Sequence, residues 1–158
     1  MSATIRLLIL DVDGVLTDGR LWYGPAGEAL KAFHVHDGAG IKAVQAAGIE
    51  VAIISGRDSP AVSARARELG IVQVVQGCAD KGAAFDAMCE ALKIPAGQVA
   101  CVGDDTPDLP MLARAGLAIA VSNAHPTVRE VAHRITTLAG GQGAVREVCD
   151  HLLSGIAR

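Results

Sequence analysis

Two aspartates set two residues apart, Asp11 and Asp13, close a short apolar run from Leu7 to Leu10, and Gly14 follows at once. On an extended segment, residues i and i+2 share a side. Two carboxylates crowded there repel each other unless a cation or a shared proton intervenes. A hard divalent cation bound through oxygen relieves that repulsion, and Mg²⁺ suits a phosphate substrate best. Further along, IISGR delivers Ser55 and Gly56, a hydroxyl and backbone N–H groups able to grip an anion near a helix start. Lys81 stands where a later helix begins, and VGDDTPD brings in Asp104, Asp105 and Asp108. Each has a bland reading: a lone lysine is usually solvated, DxDG arises by chance, and Asp108 serves equally well as a helix-start residue. A serine nucleophile at Ser55 would need a histidine base, and none follows a neighbouring strand.

These groups matter only if the chain brings them together. Short β-branched and Leu-rich runs alternate with Ala-rich segments carrying charge at helical spacing, the pattern of βα units that build a parallel sheet covered by helices. The fold class is α/β. Strands are predicted at Arg6–Leu10, Glu50–Ile54, Val72–Val75, Val99–Val102 and Leu117–Ala120, with a short edge strand near Arg134–Thr136. Helices are predicted at Ala39–Ala47, Pro60–Leu69, Lys81–Leu92, Pro107–Ala115 and Ala144–Leu153, Pro60 and Pro107 lying near first-turn positions. All the candidate groups then follow strand ends or open helices. In an open α/β sheet the carboxyl ends of the strands are where ligands bind.

One stretch breaks the alternation. Between Leu16 and Gly38, LWY and LKAFHVH flank the turn-forming GPAGE, which reads as a β-hairpin flap over about residues 17–37. It carries Trp22, Tyr23 and Phe33, three of the four aromatics in the chain, so a flap or a subunit contact is expected rather than a core hairpin. His34 and His36 would share a strand face there, but no third nitrogen or sulfur ligand has a matching spacing. Near the end, Gly140–Gly143 reads as a hinge before a last helix, so that residues from about 139 to 158 form a tail.

The chain has 158 residues, 51% hydrophobic and 20% charged, with a mean hydropathy of +0.36, which fits one domain over residues 1–158. A formal charge of −3 without a basic stripe argues against nucleic acid or an anionic membrane as partner. The apolar run before Asp11 is too short for a signal-peptide core or a spanning helix, so a cytoplasmic protein is expected. Four cysteines, Cys78, Cys89, Cys101 and Cys149, occur singly and read as reduced thiols.

The ordered set of Asp-x-Asp after the first strand, Ser after the second, Lys at a helix start and GDDxxD after the fourth resembles the haloacid dehalogenase superfamily over essentially the whole chain. Within it the nearest likeness is to phosphatases of 3-deoxy-D-manno-octulosonate 8-phosphate, carried by LDVDGVLTDG, EALKAFHVHDGAGIK, IEVAIISGR, VGDDTPDLP, AHP and GGQGAVREVCD. The resemblance implies a Rossmann-like domain with a hairpin as minimal cap, and a cytoplasmic, Mg²⁺-dependent phosphomonoesterase of lipopolysaccharide biosynthesis working through an aspartyl phosphate. It makes Asp11 the nucleophile and Asp13 the general acid and base. Mg²⁺ would sit on the Asp11 carboxylate, the Asp13 backbone carbonyl and Asp104. Ser55, the Gly56 amide and Lys81 would hold the phosphoryl group, Asp105 would orient Lys81 or metal-bound water, and Asp108 would take a similar supporting part. It further implies a homotetramer in which flap and tail meet neighbouring subunits. Arg57, after the phosphate loop, and Arg146, after the glycines, are candidates for the substrate carboxylate, since guanidinium suits that group. The chain departs from the family pattern at His36, where arginine or another residue is common.

A 2-keto-3-deoxynonulosonate 9-phosphate would present the same two charged ends and is the alternative substrate. Two readings come from other classes. A phosphoacceptor receiver domain would need its aspartate after the third strand, which here ends in Val75, Gln76 and Gly77. A non-catalytic phosphatase-like oligomerisation module would not need Asp11, Asp13, Ser55, Lys81 and Asp104 together.

Overall fold

The computed structural model describes residues 4–156. Its centre is β1 (Leu7–Leu10), four residues that expose nothing to solvent because helices cover both faces of the sheet. β1 pairs in parallel with β4 (Glu50–Ile54) on one side and β6 (Val99–Gly103) on the other, Leu10 standing opposite Ile53 and Val102. β5 (Gln73–Val75) extends the first side; β7 (Leu117–Ala120) and β8 (Arg134–Ile135) extend the second. The order is β5-β4-β1-β6-β7-β8. The chain thus builds outward from β1 to β5, then crosses back to β6, and the reversal opens a crevice at the carboxyl ends of β1 and β6.

Between β1 and β4 come an antiparallel pair, β2 (Trp22–Gly24) and β3 (Gly27–Leu30), and then α1 (Val35–Ala46). The connecting helices are α2 (Pro60–Glu68), α3 (Lys81–Leu92), α4 (Leu109–Arg114) and α5 (Pro126–Val131), and α6 (Ala144–Ile156) packs chiefly on α1. Phe85 of α3, the one aromatic outside the flap region, is fully buried. Trp22 and Tyr23 are 51% and 64% exposed.

Three expectations change. α1 starts at Val35 rather than Ala39, so His34 and His36 do not share a strand face; the His34 ring instead accepts the His36 N–H at the start of the helix. Gly38 and Gly40 obscure the helical pattern because they serve packing: a Cβ on Gly38 would lie 2.5 Å from the Arg65 guanidinium, and one on Gly40 would lie 2.9 Å from the Arg146 side chain. α5 was not expected, since six residues are too few to display a period; its signal is Pro126 in the first turn with His125 as cap. The expected hinge at Gly140–Gly143 is a docked segment. Gly141 donates its N–H to the Val15 carbonyl at 3.1 Å, Gly140 donates to Asn123 Oδ1 at 3.1 Å, and a Cβ on Gly140 would lie only 1.8 Å from the Gly14 carbonyl oxygen.

Candidate active site

The loop after β1 places the first acids. The Asp11 N–H still bonds to the sheet, at 3.2 Å from the Val102 carbonyl, and the chain then turns so that the amides of Val15, Leu16 and Thr17 all reach the Val12 carbonyl. Thr17 Oγ1, buried, accepts from the amides of Gly14 and Gly19 and locks the turn. Gly14 has φ +86° and a more particular reason to lack a side chain: its Cβ would lie 1.9 Å from Asp104 Oδ2. The glycine lets the end of β6 approach the loop after β1.

Lys81, at the start of α3 and 4% exposed, reaches the same place. Its ammonium donates to Asp11 Oδ1 at 2.8 Å and to Asp108 Oδ1 at 2.6 Å. Burial alone would lower this ammonium, but Asp11 and Asp108 outweigh it and raise it, so Lys81 stays charged. The other oxygen of Asp108 accepts from the amides of Asp104 and Asp105 at 2.8 and 3.2 Å. Asp108 therefore does two jobs at once, closing the 3-10 turn before α4 and orienting Lys81. Asp105, expected to orient Lys81 or metal-bound water, makes no hydrogen bond to Lys81 and caps that turn through the Thr106 amide at 2.7 Å.

The carboxylates of Asp11, Asp104 and Asp108 each offer an oxygen within 4.8 Å of the others. Both oxygens of Asp108 are engaged as described, which leaves Asp11 and Asp104 for an ion. Their chemistry fits one. Burial and Asp108 push Asp11 up to about 6 despite Lys81, while burial and Asp11 push Asp104 up to about 9. Two carboxyls held this way cannot both ionise alone, and a divalent cation with oxygen ligands removes the conflict. The Asp13 carboxylate lies outside this triad.

Asp11, Asp13, Lys81 and Asp104 line one cleft of about 400 Å³ with Ser55, Gly56 and Arg57 from the end of β4. Ser55 is buried, with its N–H on the Val75 carbonyl at 2.8 Å and its carbonyl accepting from Cys78, so strand pairing fixes the hydroxyl-bearing residue. Arg57 stands at the rim, donating to the Tyr23 hydroxyl at 2.9 Å. Arg146 is not in the cleft of its own chain. Its side chain pairs with Asp150 on α6, and its N–H donates to the buried Asp37 at 2.9 Å. His36 is likewise outside the lining.

Sequence reasoning missed the groups that tie the hairpin to the site. Lys31 donates to Asp13 Oδ1 at 2.5 Å and to Glu28 Oε2 at 3.0 Å, and its side chain is 2% exposed. Glu28 also accepts the Ser59 hydroxyl at 2.8 Å and lies 3.6 Å from Arg57. Burial would raise the Glu28 carboxyl, but Ser59 and Lys31 outweigh it and hold it below the usual carboxylate range. In a regular strand, residues three apart point to opposite faces, so Glu28 and Lys31 carry no pairing signal. They meet because Lys31 lies just beyond Leu30, where β3 ends.

Comparison with known proteins adds a separate line. The family profile of haloacid dehalogenase-like hydrolases matches residues 62–147. The 3-deoxy-D-manno-octulosonate 8-phosphate phosphatase of Escherichia coli (strain K12) is 52% identical over 152 residues, 96% of this chain and 81% of that protein. The cobalt-bound deoxy-D-mannose-octulosonate 8-phosphate phosphatase of Haemophilus influenzae superposes with a TM-score of 0.96 at 42% identity, over 98% of this chain and 90% of that one. The Moraxella catarrhalis 3-deoxy-D-manno-octulosonate 8-phosphate phosphatase, solved with a magnesium ion, a phosphate ion and KDO, gives 0.93 at 45% identity, over 96% and 87%.

Proposed function

The chain belongs to the haloacid dehalogenase superfamily, among its 3-deoxy-D-manno-octulosonate 8-phosphate phosphatases, and from that premise we propose how its residues divide the hydrolysis of that sugar phosphate to KDO and inorganic phosphate. The observation that carries the reading is the Asp11–Lys81–Asp108 cluster, with Asp104 beside it, at the carboxyl ends of β1 and β6. An Asp11 oxygen attacks phosphorus, the ester P–O bond breaks, and Asp13 gives its proton to the departing alkoxide. Asp13, now a carboxylate, takes a proton from water as that water attacks the aspartyl phosphate. The acyl-phosphate P–O bond then breaks, and phosphate and free Asp11 result. Lys81, the Ser55 hydroxyl and the Gly56 N–H hold the phosphoryl oxygens throughout, since phosphoryl transfer depends chiefly on positioning and electrostatics. The Asp11 and Asp104 carboxylates and the Asp13 backbone carbonyl would hold Mg²⁺, which would supply charge neutralisation on the transferring group.

Arg57, at the rim with its guanidinium fixed by Tyr23, is the candidate for the sugar carboxylate. The hairpin is too small to close the cleft, and it exposes Leu21, Trp22 and Leu30. These are the apolar surface that neighbouring subunits of a homotetramer would cover. A phosphorylated sugar acid does not cross a bilayer unaided, so the enzyme works in the compartment that makes its substrate, the cytoplasm in this reading. The test is a panel of sugar phosphates ranked by kcat/KM with Mg²⁺ present. 3-Deoxy-D-manno-octulosonate 8-phosphate should lead 2-keto-3-deoxynonulosonate 9-phosphate; the reverse order would reassign the substrate, and no turnover of any phosphomonoester would sink the enzymatic reading.

A further inference from the structure

The hairpin contributes a charged side chain that none of these steps uses. The Lys31 ammonium is almost wholly removed from water, a position that demands full pairing. Glu28 alone would supply one compensating charge, yet the ammonium also donates to Asp13 Oδ1 at 2.5 Å. Glu28 is itself fixed from behind by the hydroxyl of Ser59, which stands at the start of α2 and makes no capping bond to its own helix. An unbroken line of contacts therefore runs from α2 through the hairpin to the loop after β1. With Oδ1 held, Asp13 keeps a single side-chain orientation, its other oxygen 4.0 Å from Arg57 Nε at the cleft.

We infer that Lys31 is a positioning residue: by fixing one oxygen of Asp13 it presents the other to the bridging oxygen of the ester. The inference rests on the reading of Asp13 as general acid. Lys31 neither gains nor loses a proton. The proton that leaves Asp13 goes to the departing alkoxide, and Asp13 recovers one from the attacking water. Proton delivery depends on geometry at the scale of one ångström, so a donor free to rotate is a poor donor even with its acid intact. The hairpin is then more than a lid, since it holds the aim of a group that belongs to the central sheet.

Leaving-group dependence separates aim from mere support. A p-nitrophenolate departs without a proton, whereas a sugar alkoxide needs one, so kcat/KM is measured for both classes of ester, with aryl phosphates of graded basicity between them. Lys31→Met should lose roughly 10²-fold on the sugar phosphate, the range typical of a general acid–base contribution, and less than about tenfold on p-nitrophenyl phosphate. Lys31→Arg should restore most of the difference. If Lys31→Met does not fold, the double variant Glu28→Gln/Lys31→Met removes both charges together and should show the same differential. Equal losses on both esters, in whichever of these variants folds, would mean a strut and overturn the inference. Asp13→Asn, run in the same series, tells the two readings apart. A steep dependence in Asp13→Asn with flat Lys31 variants rejects Lys31 alone, while a flat dependence in Asp13→Asn rejects the general-acid role on which it rests.

Discussion

At Asp11 a single atom separates a nucleophile from an inert group. Asp11→Asn keeps size and shape but cannot attack phosphorus, and a loss of at least about 10³-fold in kcat is expected, as for other covalent nucleophiles. Thermal unfolding checks the accompanying claim about the fold. Because Asn removes one of two acids crowded at Asp104, the variant should melt no lower than the parent in chelator, and a large drop would contradict the electrostatic account. The same crowding gives a pH dependence. Asp11 and Asp104 are pushed up to about 6 and about 9, so the folded state binds their protons more tightly than the unfolded chain does. Their stabilising effect is complete below the unfolded value near 3.8 and is lost as pH rises through those two values. In chelator, Tm should fall between about pH 4 and pH 9, and Mg²⁺ should flatten that fall; parallel curves with and without Mg²⁺ would remove these acids as ligands. Activity should vanish with the chelator and return with Mg²⁺. The acids were legible in the sequence because each ends a strand or opens a helix in a fixed order. Lys31 was not, since its partner Asp13 lies 18 residues away across a turn that has no period.

Among the elements, the strands were the most legible: β4 and β7 have the expected bounds, because buried parallel strands are short, continuous apolar runs bounded by turn residues. The start of α1 was misread and α5, already too short to show a period, was missed, in part because Gly38 and Gly40 in α1 and the Ala-His-Pro at the start of α5 look like loop chemistry. Yet the glycines admit side chains from α2 and α6, and the proline sits where its missing N–H costs nothing. Glycine positions therefore give graded predictions. Gly140→Ala forces a Cβ against the Gly14 carbonyl and should cost about 3 kcal/mol while lowering kcat on every phosphomonoester, because the loop it displaces carries Asp11 and Asp13. Gly155→Ala, near the end of α6 with nothing within 4 Å of the new methyl, should be neutral or stabilise by up to about 1 kcal/mol. Denaturant titration of the two variants checks both, and equal effects would discredit the packing argument.

For the molecule as a whole, the α/β class and the placing of the site at the strand ends followed from alternation alone, whereas the disposition of the last segment did not, because glycine-rich sequence serves equally for a hinge and for close approach. α6 buries Ala144, Val145, Val148, Cys149 and Leu152, and Glu147 accepts the amides of Thr137 and Leu138, so this end is a structural part of the domain. A chain cut after Ala139 should accordingly lose its cooperative unfolding transition and its activity on sugar phosphate and p-nitrophenyl phosphate alike. Selective loss on the sugar phosphate from a folded remnant would instead make the tail a clamp on the bound sugar and overturn this reading. The contact of Gly140 and Gly141 with Gly14, Val15 and Asp18 also imposes a schedule. Translation at about 5–20 residues per second separates those two stretches by roughly 6–25 s. Late in that interval, once Lys81 has been added, a nascent chain carries its nucleophile and its phosphate-gripping residues but lacks the brace that sets the nucleophile's loop. Catalytic competence arrives late in synthesis, and a ribosome stalled before Gly140 would hold a chain with nearly all its chemistry and no turnover.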